Sequence, residues 1–159
     1  MVPIGSGLPH DEQIQISHRR LRMELLKALF VDDETEYLQT AIKRMKKRGI
    51  DVTGVSSGPE ALATLAAQVM DVVVMDVRMP GMDGIQALRE IKQRYPMVEV
   101  IMLTGHASME AAIIGMELGA FDYLMKPIDI DELIYKIQDA YQKRQLQIKK
   151  IENMEKLRR

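Results

Sequence analysis

Three carboxylates, one hydroxyl and one ammonium stand at comparable places in this sequence. Asp32 and Asp33 follow the apolar run Leu25–Val31, and Asp76 closes Asp71–Asp76. Thr104 follows Val98–Leu103, and Lys126 follows Phe121–Met125. Singly, each is ordinary, since an acidic pair usually caps a helix. Together they suggest chemistry, because carboxylates brought close repel one another and lose hydration. A hard divalent cation relieves that repulsion. Mg²⁺ favours near-octahedral oxygen ligands and typically takes one or two carboxylates plus phosphate oxygens. A nearby lysine would neutralise further negative charge, and a hydroxyl would donate to a phosphoryl oxygen. The set suits an aspartyl phosphate: a carboxylate nucleophile, a metal and a cation that steadies the transferring group. The sequence holds no Gly-rich Walker loop and no base-activated Ser or Cys arrangement to compete with it.

Positioning these groups requires alternating strands and helices. Glu34–Arg48 places Leu38, Ala41, Ile42 and Met45 at helical spacing, and Gly49 stops that helix. A strand at Ile50–Val55 and a helix at Gly58–Gln68 follow, then the strand Asp71–Asp76 and a helix at Gly84–Arg94. A strand at Val98–Leu103, a helix at Ser108–Leu118 and a strand at Phe121–Met125 lead to a last helix from near Asp129. Near-continuous apolar strands such as "VVVM" predict a parallel sheet covered on both faces. In such sheets ligands gather at the carboxyl ends of the strands, where all five candidate side chains fall.

Composition narrows the class. The 159 residues are 47% hydrophobic and 28% charged, as expected of one globular domain. Neither a membrane-length apolar stretch nor a secretion signal is evident, so a cytoplasmic protein is expected. With no cysteine, thiol catalysis and cysteine metal sites are excluded. Residues 23–140 carry 12 basic and 19 acidic side chains, whereas 141–159 carry 7 basic and 2 acidic. The acidic body argues against direct nucleic-acid binding by that part. Residues 1–22 read as a disordered or vector-derived leader, 23–140 as the folded domain and 141–159 as a C-terminal helical extension or linker.

Four blocks, "ALFVDDE", "VVVMDVRMPGMDG", "VIMLTGHAS" and "FDYLMKPID", resemble the motifs of bacterial response-regulator receiver domains, in the same order. "GAFDYLMKP" is similar to receivers attached to ATPase transcriptional activators of the nitrogen-regulation type. The resemblance implies a flavodoxin-like, CheY-like (βα)5 fold with strand order 2-1-3-4-5. It implies two-component signalling, in which Asp76 takes a phosphoryl group from a histidine kinase or phosphotransfer protein. Mg²⁺, with Mn²⁺ as a substitute, would be held by Asp33, Asp76 and the backbone carbonyl of Arg78, with Asp32 acting through water. Lys126 would bind the phosphoryl group, and Thr104 and Tyr123 would form a switch. The Lys126–Pro127 bond would be cis, aiming Lys126 inward. Arg78 and His106 correspond to positions that flank the path of the hydrolytic water. Such a protein is not a turnover enzyme, since it catalyses only its own phosphorylation and dephosphorylation.

Other readings compete. A flavin-binding relative of the fold would need a hydroxyl- and Gly-rich loop where "VDDETEY" stands. A phosphatase with an aspartyl nucleophile would have a second acid at the position of Arg78. A degenerate receiver acting as an adaptor would not keep all five side chains. The run Lys43–Arg48 reads as a solvated helix face. In the last helix Ile134, Ile137, Tyr141, Ile148 and Ile151 approximate a heptad seam interrupted by Arg144. That seam offers one route to a homodimer, with a protruding linker helix as the alternative, and the receiver resemblance implies another through the fourth helix–fifth strand–fifth helix face.

Overall fold

The computed structural model describes residues 7–106 and 108–158. After a first helix, α1 (His10–Leu25), strands and helices alternate strictly. They are β1 (Lys27–Val31), α2 (Thr35–Lys47), β2 (Asp51–Val55), α3 (Gly58–Ala67), β3 (Val72–Met75) and α4 (Gly84–Arg94). Then come β4 (Glu99–Thr104), α5 (Met109–Glu117), β5 (Asp122–Met125) and α6 (Ile130–Leu157). All strand pairs are parallel and the order is β2-β1-β3-β4-β5, the flavodoxin-like arrangement expected from the sequence.

Alternation along the strands explains their continuous apolar runs. Ala28, Phe30, Val72, Val74, Ile101 and Leu103 face one core, shared with Leu38, Ala41 and Met45 of α2 and with α6. Leu29, Val31, Val73, Met75, Val100 and Met102 face the other, shared with Ala61 and Leu65 of α3 and with α4. Successive residues point to opposite faces, so a strand buried on both sides has no polar positions to offer.

Side-chain caps set the helix starts. Ser57 accepts from Glu60 N–H and Ser108 from Ala111 N–H. Asp83 and Gln86 form a reciprocal capping box at α4, and Asp129 accepts from two amides at α6. In the basic run Lys43–Arg48, Lys43, Arg44, Lys46, Lys47 and Arg48 are exposed, and Arg48 pairs with Asp131.

Two regions differ from the sequence reading. Residues 10–25 form a helix where an irregular leader was expected; residues 1–6 of that leader lie outside the described residues. No Gly or Pro interrupts His10–Leu25, and Pro9 accepts the first helical bond from Gln13 N–H at 3.0 Å. Asp11 and Glu12 in the first turn complement the helix dipole. In α6, Ile134, Ile137 and Tyr141 are buried in the domain's own core, so these seam positions are already covered. Arg144 does not interrupt that face but extends it, reaching Asp71 before β3 at 3.3 Å. Lys136 and Lys143 likewise pair with Asp122 and Glu99, the first residues of β5 and β4.

Candidate functional site

The parallel sheet carries each candidate group to one edge through main-chain bonds that prolong the ladders. Asp32 N–H donates to Val55 O at 3.1 Å, Asp76 N–H to Val31 O at 3.0 Å and Lys126 N–H to Thr104 O at 2.9 Å. Asp32, Asp76 and Thr104 are buried, with Asp76 only 3% exposed. Asp33 is more accessible. One carboxylate oxygen from each of Asp32, Asp33 and Asp76 lies within 4.8 Å of the others.

Lys126 closes this acidic cluster. Its Nζ donates to Asp32 Oδ2 at 2.6 Å and to Asp76 Oδ2 at 3.4 Å, with the lysine side chain 10% exposed. Burial pushes the Asp32 carboxyl above its ordinary range, and the Lys126 hydrogen bond only partly offsets this. Burial by itself would lower the Lys126 ammonium. The Asp32 hydrogen bond and the charges of Asp32, Asp76 and Glu34 together outweigh it, so the net shift is upward. Asp32 Oδ1 also accepts from Glu34 N–H at 2.9 Å, and Asp76 Oδ1 accepts from Arg78 N–H at 3.4 Å. Asp33 and Asp76 line an open cleft of about 710 Å³ together with Arg78, Met79, Asp83 and His106. Three convergent hard oxygen donors beside such a cleft fit a divalent cation of the Mg²⁺ kind.

Thr104 ends β4 next to this cluster, and its Oγ1 accepts from His106 N–H at 3.1 Å. Tyr123 lies on β5, packed against the second core, and its hydroxyl is buried with no hydrogen-bond partner among the described residues. The peptide bond between Lys126 and Pro127 is cis. Thus Asp32, Asp33, Asp76 and Lys126 meet directly, while Thr104 and Tyr123 lie on the two adjoining strands.

Sequence reasoning missed two residues. The Tyr37 ring, on the first turn of α2, lies under the Lys126 ammonium, 4.2 Å from Nζ to the ring centroid. Its position four residues before Ala41, just after the acidic pair, was the available signal. Gly84, the first residue of α4, donates its N–H to Val77 O at 2.8 Å. A Cβ on Gly84 would lie 2.9 Å from the Asp76 carbonyl carbon and closer still to its oxygen. Glycine opening a helix after a good cap was the sign of that close approach.

This fold, with an acidic cluster at the carboxyl edge of its sheet, is that of a signalling receiver domain. The response regulator receiver domain family matches residues 28–138, and the chain belongs to it. The chain is similar to bacterial regulatory proteins over part of their length. The DNA-binding transcriptional regulator NtrC of Salmonella typhimurium (strain LT2) is 42% identical over 118 residues, covering 72% of this chain and 25% of that protein. The regulatory protein AtoC of Escherichia coli (strain K12) is 40% identical over 114 residues, covering 72% and 25%. The chain thus spans about a quarter of the length of these curated relatives. A receiver domain structure from Clostridium thermocellum superposes with a TM-score of 0.72 at 39% identity, covering 77% of this chain and 98% of that one. No helix among the described residues is long and apolar enough to cross a membrane.

Proposed function

We propose that Asp76 accepts a phosphoryl group from a phosphohistidine donor in a Mg²⁺-dependent reaction, and that phosphorylation switches the conformation of the domain. The carrying observation is Asp76 at the tip of the central strand, with two more carboxylates and the Lys126 ammonium converging on it. An Asp76 carboxylate oxygen forms the new O–P bond as the donor's N–P bond breaks, and that electron pair stays on the imidazole nitrogen. Dephosphorylation runs through attack of water on phosphorus, which releases inorganic phosphate and restores the carboxylate. Asp33, Asp76 and the Arg78 carbonyl would hold Mg²⁺, with Asp32 acting through water. Such an ion, with Mn²⁺ as a substitute, would supply positive charge that offsets the carboxylates and the incoming phosphoryl group. Lys126 leaves its carboxylate partners to bind a phosphoryl oxygen. Arg78 and His106, both exposed on the cleft, border the approach of water.

Thr104 moves from the His106 amide toward the phosphoryl group, and Tyr123 follows it. The Tyr123 hydroxyl supports this, since it is buried with no partner among the described residues and so is held only weakly in one arrangement. The surface affected is formed by α5, β5 and α6, the fourth helix–fifth strand–fifth helix face of the sequence reading. There Met109, Ile113, Met125 and Tyr135 are exposed, as suits a partner or a second copy. Residues 23–140 act as the receiver body and 141–159 as the linker to an output that regulates transcription. A sensor histidine kinase or phosphotransfer protein is the donor, and the chain acts in the cytoplasm. Incubation with acetyl phosphate and Mg²⁺, followed by intact-mass analysis, is expected to add one phosphoryl group to the wild type and none to Asp76→Asn. An unmodified wild type refutes the reading.

A further inference from the structure

We propose that Tyr37 is a positioning residue for Lys126: its ring face holds the ammonium in place while the N–H bonds of that ammonium pass from carboxylates to a phosphoryl group. This rests on the phosphoacceptor reading of Asp76. A lysine ammonium has three N–H donors. One reaches Asp32 at 2.6 Å, a second reaches Asp76 at 3.4 Å, and the Tyr37 ring centroid lies 4.2 Å from Nζ. That distance is within cation–π range, and the Lys126 side chain is only 10% exposed, which strengthens such a contact.

The ring is itself fixed. Tyr37 sits on the first turn of α2 and packs against the core that holds Phe30, with ring centroids 6.2 Å apart and planes inclined at 60°. It therefore presents its face to Lys126 at no further ordering cost.

The chemistry explains why a ring face suits this place better than another carboxylate. Lys126 must release Asp32 and Asp76 once those groups carry a metal or a phosphoryl group. A further carboxylate would compete for the metal and repel the phosphoryl oxygens. An aromatic face attracts the ammonium without directional hydrogen bonds, so Nζ keeps one constant contact while it re-aims. Tyr37 touches neither donor nor metal in this scheme and acts only through Lys126.

The test varies the potential of the ring face while keeping its shape. Tyr37→Phe keeps the face, pentafluorophenylalanine at position 37 inverts its potential, and Tyr37→Leu removes it. The readouts are the maximal rate of self-phosphorylation with acetyl phosphate and Mg²⁺, thermal midpoints, and the NMR shifts of the Lys126 Cε protons. Tyr37→Phe is expected to match wild type in rate and to keep the upfield ring-current shift. The pentafluoro variant is expected to unfold at the wild-type temperature yet run about 3- to 10-fold slower, the scale of one half-buried cation–π contact. Tyr37→Leu is expected to lose both rate and ring-current shift. A pentafluoro variant at the wild-type rate overturns the proposal, as does a Tyr37→Phe rate as low as that of Leu. A wild type that takes up no phosphoryl group refutes the Asp76 reading instead, whatever the ring-current shift shows.

Discussion

Replacing Gly84 with alanine tests whether the start of α4 positions Asp76. A Cβ there would lie 2.9 Å from both the Asp76 carbonyl carbon and Val77 Cα, whereas ordinary contact begins at 3.4 Å. The Asp76 carbonyl oxygen lies closer still, so relief requires a displacement of about 1 Å, shared between α4 and the Asp76–Val77 peptide. The helix is not free to take all of it. Gly84 N–H is bonded to Val77 O, the capping box of Asp83 and Gln86 fixes the first turn, and Ala87, Leu88 and Ile91 are locked in the core. Overpacking of this kind costs about 1–3 kcal/mol, a fall of roughly 4–12 °C in thermal midpoint. Misplacing a catalytic group by an ångström costs about 10²-fold in rate, so an equal division that moves the Asp76 peptide by about half an ångström predicts about a tenfold loss. The assay pairs thermal unfolding with a time course of phosphoryl incorporation under acetyl phosphate and Mg²⁺. A variant with wild-type midpoint and wild-type rate refutes the claim that this contact sets the position of Asp76. Lost stability with a wild-type rate confines the role of Gly84 to packing.

Three further outcomes are expected. Lys126→Met leaves the buried carboxylates unpaired and costs about 3 kcal/mol in EDTA, with Mg²⁺ restoring part of the loss. Equal losses in urea unfolding with and without Mg²⁺ contradict this. Burial raises the Asp32 carboxyl above 3.8, so in metal-free buffer its contribution to stability is fully present below 3.8 and is lost as pH rises through the raised folded value. Asp32→Asn should therefore gain on wild type as pH rises across that range, and a pH-independent difference between the two would count against it. Arg144→Met breaks the pair with Asp71, whose side chains are 11% and 13% exposed. Hydrogen exchange should then quicken in α6 beyond Tyr141, and unchanged protection would show that the pair does not anchor the helix.

The sheet and the directly meeting site groups were legible in the sequence for a common reason. Strands buried on both faces write themselves as unbroken apolar runs, and a parallel sheet puts every residue after such a run on one edge. What escaped notice depended on partners that the sequence does not name. Ile134, Ile137 and Tyr141 have heptad-like spacing, but spacing does not reveal whether a second helix or the domain's own sheet covers the stripe. Arg144 looked like a flaw in that stripe because Asp71, 73 residues earlier, was not known to lie beneath it. Helix α1 has no apolar stripe to announce it and rests on helix-forming residues and an acidic first turn. Tyr37 reads as one more aromatic residue until Lys126, from the far end of the chain, is placed above it.

The central claim is that Asp76 bears the phosphoryl group. Reduction of the acetyl-phosphate-treated protein with borohydride converts an aspartyl phosphate to homoserine, which peptide mass spectrometry can locate. Homoserine at position 76, formed only when Mg²⁺ and the phosphodonor are both present, is the predicted result. Homoserine at Asp32, at Asp33 or nowhere in the chain would contradict it.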